Sequence, residues 1–324
     1  MNCCSKLESL IHFPVSAAVA LKNSLPVSAF PVSEWVQDKK LSGKLLAEAL
    51  RRDIKTRAAK LTTPPGLAVI IVGDDEASKI YVAGKEKAAA EAGFYSLVSR
   101  LPASSQQEDI IAKIHEYNND PRLHGILVQL PMPGHLKESE ILQAIRPEKD
   151  ADGFHFINQG RLLAGADTVL PCTPAGITLM LRELDLQHKL SLAGKHAVVV
   201  GRSNIVGKPM AQLLLSVLNM TVTTCHSKTQ NLKDFVSSAD VLVSATGVRG
   251  IVDCSVIKKG AIVIDVGMHR IDGKVTGDLD LAVAAERAQF YTPVPGGVGP
   301  MTIAMLLYNT YHNAERLQAQ TLVA

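Results

Sequence analysis

Residues 196–210, HAVVVGRSNIVGKPM, pass from a near-continuous apolar run into a turn holding Gly201, Ser203 and Gly207, then into an apolar-periodic segment opened by Pro209. Such a run feeding a glycine-bearing turn and a helix is the local order in which a dinucleotide pyrophosphate rests on a helix N-terminus. The spacing departs from G-x-G-x-x-G, so on pattern alone the loop also fits an ordinary β-α turn. The end of the next strand sharpens the reading. There an NAD site wants a carboxylate for the ribose 2′-hydroxyl, whereas this chain has Cys225, His226, Ser227 and Lys228. Nothing repels a 2′-phosphate, and Arg202 and Ser227 can donate to one, with Lys228 adding charge. NADP is favoured over NAD; the plainer alternative leaves Arg202 and Lys228 as solvated surface residues.

Working outward, the second half continues as strand TVTTCHS, helix NLKDFVSSA, strands DVLVSAT and AIVIDVG, then FYTPV. The first half alternates in the same way. A helix is predicted from Lys39 to Leu61, a buried strand over 66–73, a helix over 78–93 stopped by Gly93, and a strand over 94–101. A helix from Ser104 or Ser105, an apolar strand over 124–131 and a helix near 137–146 follow. Strands alternating with helices imply mainly parallel sheets. The expected fold class is therefore α/β, with two doubly wound domains, the second Rossmann-like and NADP-binding, and a cleft between them. TPAGITLMLRELDL (173–186) reads as a bridging helix with Thr173 at the N-cap and Pro174 in the first position. The last helix, from Met301, follows the completed second sheet and is free to return to the first domain. The expected division is 34–172 plus 301–324 for the first domain and 173–300 for the nucleotide domain.

At 324 residues the chain is long enough for two cores. Hydrophobic residues are 47% and charged residues 20%, which places it among folded globular chains. The net charge of +3, without a run of like charges, and an aromatic content of 4% argue against nucleic-acid binding. No apolar stretch approaches the roughly 18 residues of a membrane span. Five cysteines without a CxxC pair argue against a disulfide scaffold or a structural zinc. Residues 1–33 hold few charges and no sustained period, and are expected to form a disordered extension; an organellar leader and a secretion signal are the alternatives.

Tyr81 and Lys85 stand at i and i+4 on a predicted helix, so one face can present a phenol and an amine, although a solvated helix face would look the same. Gln129, in QLPMP, lies at the C-terminal end of a predicted parallel strand, where α/β proteins bind ligands. A lysine lodged there can relay protons. KDADG (149–153) sets Asp150 and Asp152 before a glycine; they are either turn formers or, lining the cleft, acceptors for a heterocycle's N–H groups. TPVPGGVGPMT (292–302) is a stiff loop with little side chain to obstruct a flat ligand.

SKIYVAGK, ILVQLPMP, KDADGFH, PCTPAGI, GRSNIVGKPM, CHSKTQNL, IDVGM and TPVPGGVGPMTIAMLL, in this order, resemble the bifunctional methylenetetrahydrofolate dehydrogenase/methenyltetrahydrofolate cyclohydrolase family. The resemblance implies NADP-linked oxidation of methylenetetrahydrofolate and hydrolysis of the methenyl product in one shared cleft. By the same resemblance Lys85 is the general acid/base, Gln129 its helper, Tyr81 the ring that stacks on folate and Asp152 the pterin's anchor. Val128, Leu130, Pro295, Gly296, Gly297 and Val298 would complete the folate site, and Gly201, Arg202, Ser203, Ser227 and Met268 would hold NADP. It further implies a homodimer; the cysteines read as free thiols of a reducing compartment, so the expected address is cytoplasmic, or organellar should residues 1–33 be a transit peptide. Hydride leaves a carbon flanked by two nitrogens that stabilise the cation, so the chemistry asks for positioning and a proton relay rather than a metal. VQDKKLSG departs from the family's usual start, which puts the first helix boundary in question. Two other readings are a monofunctional NADP dehydrogenase on another small substrate and a non-catalytic NADP-binding regulator.

Overall fold

The computed structural model describes residues 32–321; the expectation for the N-terminal extension falls almost wholly on residues 1–31, outside the described residues. A short helix α1 (Val32–Trp35) leads into a hairpin of β1 (Val36–Gln37) and β2 (Lys40–Leu41). The helix predicted from Lys39 begins later, as α2 (Gly43–Ala58), because Ser42 takes the N-cap and its hydroxyl accepts from the Leu45 amide at 3.3 Å.

The first lobe alternates β3 (Gly66–Val72), α3 (Glu76–Glu91), β4 (Tyr95–Leu101), α4 (Gln107–Asn119), β5 (Gly125–Val128) and α5 (Glu138–Gln143). Its strands form a parallel sheet in the order β4-β3-β5. Every residue of β3 is buried. Leu67, Val69 and Ile71 point into one core and Ala68, Ile70 and Val72 into another, with Ile110 and Ile114 of α4. Burial on both faces explains why this strand reads as an unbroken apolar run.

α6 (Phe156–Leu163), which sequence periodicity did not reveal, follows the Asp150–Gly153 turn, and the bridging helix is α7 (Cys172–His188). Its N-cap is Pro171, not Thr173. The Thr173 hydroxyl instead bonds that of Thr302 at 2.8 Å.

The second lobe comprises β6 (His196–Val200), α8 (Gly207–Ser216), β7 (Thr221–Cys225), α9 (Leu232–Ser238), β8 (Val241–Ser244) and β9 (Ile262–Asp265). An unanticipated hairpin of β10 (His269–Ile271) and β11 (Lys274–Thr276) follows, then α10 (Leu281–Arg287), β12 (Phe290–Tyr291) and α11 (Val298–Thr321). The sheet order is β1-β2-β12-β9-β8-β6-β7, parallel throughout except between β1 and β2. The N-terminal hairpin thus closes the edge of the second lobe's sheet. α11 does return, packing on α2, α3 and α7. One continuous core, including Leu50, Leu179, Val199 and Leu307, runs from the first lobe through α7 and α11 into the second.

Candidate active site

Helix α3 starts at Asp75, whose carboxylate accepts from the Ser78 amide at 2.7 Å. Its buried stripe is Ser78, Val82, Lys85, Ala88 and Ala89, so helical spacing threads the Lys85 stem through the packed face and leaves the residue only 7% exposed. The amine emerges at the end of β5 and donates to Gln129 Oε1 at 2.9 Å. Gln129 is itself fixed, its Nε2 donating to the Leu130 carbonyl at 2.6 Å and its backbone amide to the Ile70 carbonyl at 2.8 Å.

The two aspartates of KDADG separate by role. Asp150 is buried and accepts from the amides of Asp152 (3.2 Å), Gly153 (3.0 Å) and His155 (2.9 Å) and from Asn158 Nδ2 (2.9 Å), so it builds the turn. Asp152 keeps some exposed surface, yet protein is dense around it. Burial pushes its carboxyl up to about 6, with nearby Lys85 drawing it back down and Asp150 adding to the rise. Cys172, at the start of α7, lies against Asp152, and burial pushes its thiol well up. Lys85, Gln129 and Asp152 are therefore brought together. Val128 is different: its side chain is core, so a ligand contact there falls to its backbone.

The loop before α11 is clamped from α2. The Lys44 amide donates to the Gly296 carbonyl at 2.9 Å, and a Cβ on Gly43 would stand 1.9 Å from the Gly297 carbonyl oxygen. Gly296 has φ of 100° with open space where a side chain would be. Gly297 is packed on Thr292 and Pro293, while Val298 turns inward as core. The accessible part of the Pro295–Val298 stretch is thus Pro295 and Gly296.

At the ends of β6 and β7 the Gly201 amide donates to the Cys225 carbonyl at 2.9 Å, so Arg202 and Ser227 leave adjacent strands side by side. Gly201 has φ of 131°, and a Cβ on it would meet the Ala245 carbonyl oxygen at 2.2 Å. A Cβ on Gly207 would stand 2.2 Å from the Gly201 carbonyl oxygen. The unusual glycine spacing thus has a steric reason: the strand end and the α8 N-terminus touch backbone to backbone. Ser203 Oγ accepts from the amides of Val206 (3.1 Å) and Gly207 (3.3 Å), and its own O–H remains available to donate. Arg202, Ser203, Ser227 and Lys228 are all exposed at this edge. Donors without a carboxylate beside a backbone cradle fit a phosphorylated dinucleotide.

The two groups of residues meet. Tyr81, on α3, donates its hydroxyl to Met268 Sδ at 3.0 Å across the lobes. Met268 sits on a loop built by two buried aspartates that sequence reasoning passed over. Asp265 accepts from the amides of Gly267 (2.9 Å), Asp278 (3.0 Å) and Leu279 (3.0 Å). Asp278 accepts from Thr246 N (2.9 Å), Gly247 N (3.1 Å) and His269 Nε2 (2.7 Å). Gly267 and Gly277 fall where any Cβ would strike these carboxylates. An aspartate closing the apolar strand AIVID, with a glycine two residues on, was the available signal.

A model of the tetrahydrofolate dehydrogenase/cyclohydrolase catalytic domain matches residues 41–152, and one of the family's NAD(P)-binding domain matches residues 171–318. The chain is 51% identical over 278 residues to the "Bifunctional protein FolD" of Halalkalibacterium halodurans, covering 85% of this chain and 98% of that one. It is 52% identical over 280 residues to the protein of the same name from Cupriavidus metallidurans, covering 85% and 96%. Among solved structures, the bifunctional FolD methylenetetrahydrofolate dehydrogenase/cyclohydrolase of Campylobacter jejuni superposes with a TM-score of 0.81 at 43% identity, over 85% of this chain and 98% of that one. The Trypanosoma brucei methylenetetrahydrofolate dehydrogenase-cyclohydrolase, complexed with NADP cofactor and inhibitor, superposes with a TM-score of 0.80 at 37% identity, over 86% and 97%.

Proposed function

Because the chain belongs to the tetrahydrofolate dehydrogenase/cyclohydrolase family, we infer its activity from that membership and assign its residues to the steps. The protein oxidises 5,10-methylenetetrahydrofolate to 5,10-methenyltetrahydrofolate with NADP+ and hydrolyses that product to 10-formyltetrahydrofolate, in the cleft between its lobes. The observation that carries the assignment of residues is the Lys85 Nζ–Gln129 Oε1 bond of 2.9 Å at the end of β5, with Asp152 beside it.

NADP+, when bound, takes up the hydride. The residues around it would bind and orient it: Gly201 and Gly207 let the strand end and the α8 N-terminus pack into the turn that would receive the pyrophosphate, Arg202, Ser203 and Ser227 would donate to phosphate, and Met268 would border the cofactor. In the folate lobe, the Tyr81 ring stacks on the pterin, the Asp152 carboxylate accepts from its N–H groups, and Pro295 and Gly296, backed by the buried Gly297 and Val298, form one wall with the backbone of Val128 to Leu130. Oxidation then needs alignment above all. In the hydrolysis Lys85 Nζ moves the proton between the attacking water and the opening ring, and Gln129 holds that amine in place by accepting from it. Residues 34–172 with 301–324 hold folate, joined by the Pro295–Val298 loop, and the rest of 173–300 holds NADP, with β1 and β2 serving as the edge of the second lobe's sheet. A homodimer is the expected assembly, to be checked by sedimentation equilibrium. The expected address is the cytoplasm, with organellar import through residues 1–33 as its competitor; a fluorescent fusion separates the two.

Purified protein mixed with methylenetetrahydrofolate and NADP+ should yield NADPH and then the formyl product. Arg202→Ala should cost activity with NADP+ about tenfold or more while changing activity with NAD+ far less, given the strength of charge-assisted bonds to phosphate. Absence of NADPH formation overturns the function; equal losses with both cofactors overturn the phosphate contact.

A further inference from the structure

Asn309 lies in the middle of α11, 3% exposed, with no part in the assignments above. Its Nδ2 donates to the Ala151 carbonyl at 2.9 Å and to the Leu170 carbonyl at 2.9 Å, and stands 3.5 Å from Cys172 Sγ. A carboxamide nitrogen has two hydrogens, so these two carbonyls use both. The Cys172 thiol donates to the same Ala151 carbonyl at 3.4 Å. Three segments distant in sequence meet on this side chain: the turn carrying Asp152, the linker into the bridging helix, and the helix that begins at the Pro295–Val298 loop. The turn and linker are already in backbone contact, since a Cβ on Gly153 would stand 2.7 Å from the Leu170 carbonyl carbon. The turn is also tied to the sheet, the Ala151 amide donating to the Ile126 carbonyl at 3.2 Å.

From this junction we propose that Asn309 is a positioning residue for the folate site: by gripping the carbonyl next to Asp152, it fixes that carboxylate relative to Lys85 and to the loop at the head of the same helix. The proposal rests on the reading of Asp152 as the pterin's anchor. A side chain of equal bulk without donors leaves the Leu170 carbonyl unmet and the Ala151 carbonyl with only the weak Cys172 thiol, and the turn relaxes away from α11 to find partners. That movement shifts the Asp152 carboxylate, leaving the nucleotide lobe as it was.

The test compares Asn309→Leu, Asn309→Ser, Asp152→Ala and the Asn309→Leu/Asp152→Ala double variant in the full chain. KM for methylenetetrahydrofolate, kcat, the NADP dissociation constant and the melting temperature are read for each. Asn309→Leu should raise the folate KM about tenfold with the NADP constant within about twofold, and the increment should vanish in the Asp152→Ala background. Asn309→Ser, which keeps one donor, should give a smaller rise in the same direction and stands in if the leucine variant does not fold. A lower melting temperature with unchanged folate KM in both variants overturns the proposal, as does an Asn309→Leu effect of full size in the Asp152→Ala background. If Asp152→Ala itself leaves the folate KM unchanged, the anchor reading has failed, and the proposal with it.

Discussion

Two aspartates one residue apart, Asp150 and Asp152, show how environment rather than residue type divides labour. Asp150 is consumed by three amides of its own turn and by Asn158 of α6; Asp152 faces Lys85 with its carboxyl raised to about 6. The raised value has a consequence for stability. In the unfolded chain the group loses its proton near 3.8, in the native state near about 6, so between these values the folded state binds more protons. Stability contributed by this group therefore falls as pH rises through that window and is flat on either side. Asp152→Asn should remove this component, so that urea midpoints of the variant lose less than those of the parent between about pH 4 and about pH 7. Superimposable slopes for the two proteins would show that Asp152 is not held in a desolvated setting. The choice between the two carboxylates could not be read from KDADG, because it depends on which of them the amides of Gly153 and His155 happen to face.

Among the elements, the start of α2 and the loop before α11 act as one unit. Gly43→Ala would drive a methyl into the Gly297 carbonyl, and neither backbone can yield cheaply. The expected outcome is a folate KM raised about fivefold or more, NADP affinity unchanged and a loss of stability on the order of 1–3 kcal/mol, measured by kinetics, cofactor titration and denaturant unfolding. Unchanged folate kinetics would mean that the loop is not part of the site. The sequence made the long elements plain: β3, β6 and α8 carry unbroken or 3.6-periodic apolar patterns because they are buried as those patterns require, whereas α3 buries Ser78 and Lys85 in its stripe and leaves Ile80 exposed. It did not reveal the β1–β2 hairpin, since Lys40 and Leu41 satisfy a helical period as well as a strand, and only the pairing of Lys40 with Tyr291, far along the chain, decides between the two. The β10–β11 hairpin was equally hidden: three-residue strands have no period, and their loop is organised by Asp265 and Asp278 through contacts across 13 residues.

For the whole molecule, the decisive fact is that the helix carrying Lys85 meets the second lobe through Tyr81 and Met268. Tyr81 reaches Met268 from the opposite lobe, and the shared core through α7 and α11 fixes the two lobes to one frame. The eight motifs were legible in order along the chain, but that the two lobes carrying them share one core follows only from the return of α11 and the crossing of α7. On the proposed assignment a single bound folate faces hydride acceptor and amine in turn, so loss of the amine should separate the two reactions. The most direct measurement is therefore Lys85→Met assayed for both activities and for NADP affinity in one preparation. Hydrolysis should fall by roughly 10²–10⁴-fold, the range of a lost general acid/base, with hydride transfer reduced less and the NADP dissociation constant unmoved. Hydrolysis surviving within about tenfold of the parent, or NADP affinity falling in step with activity, would contradict the division of labour between Lys85 and the Gly201 turn.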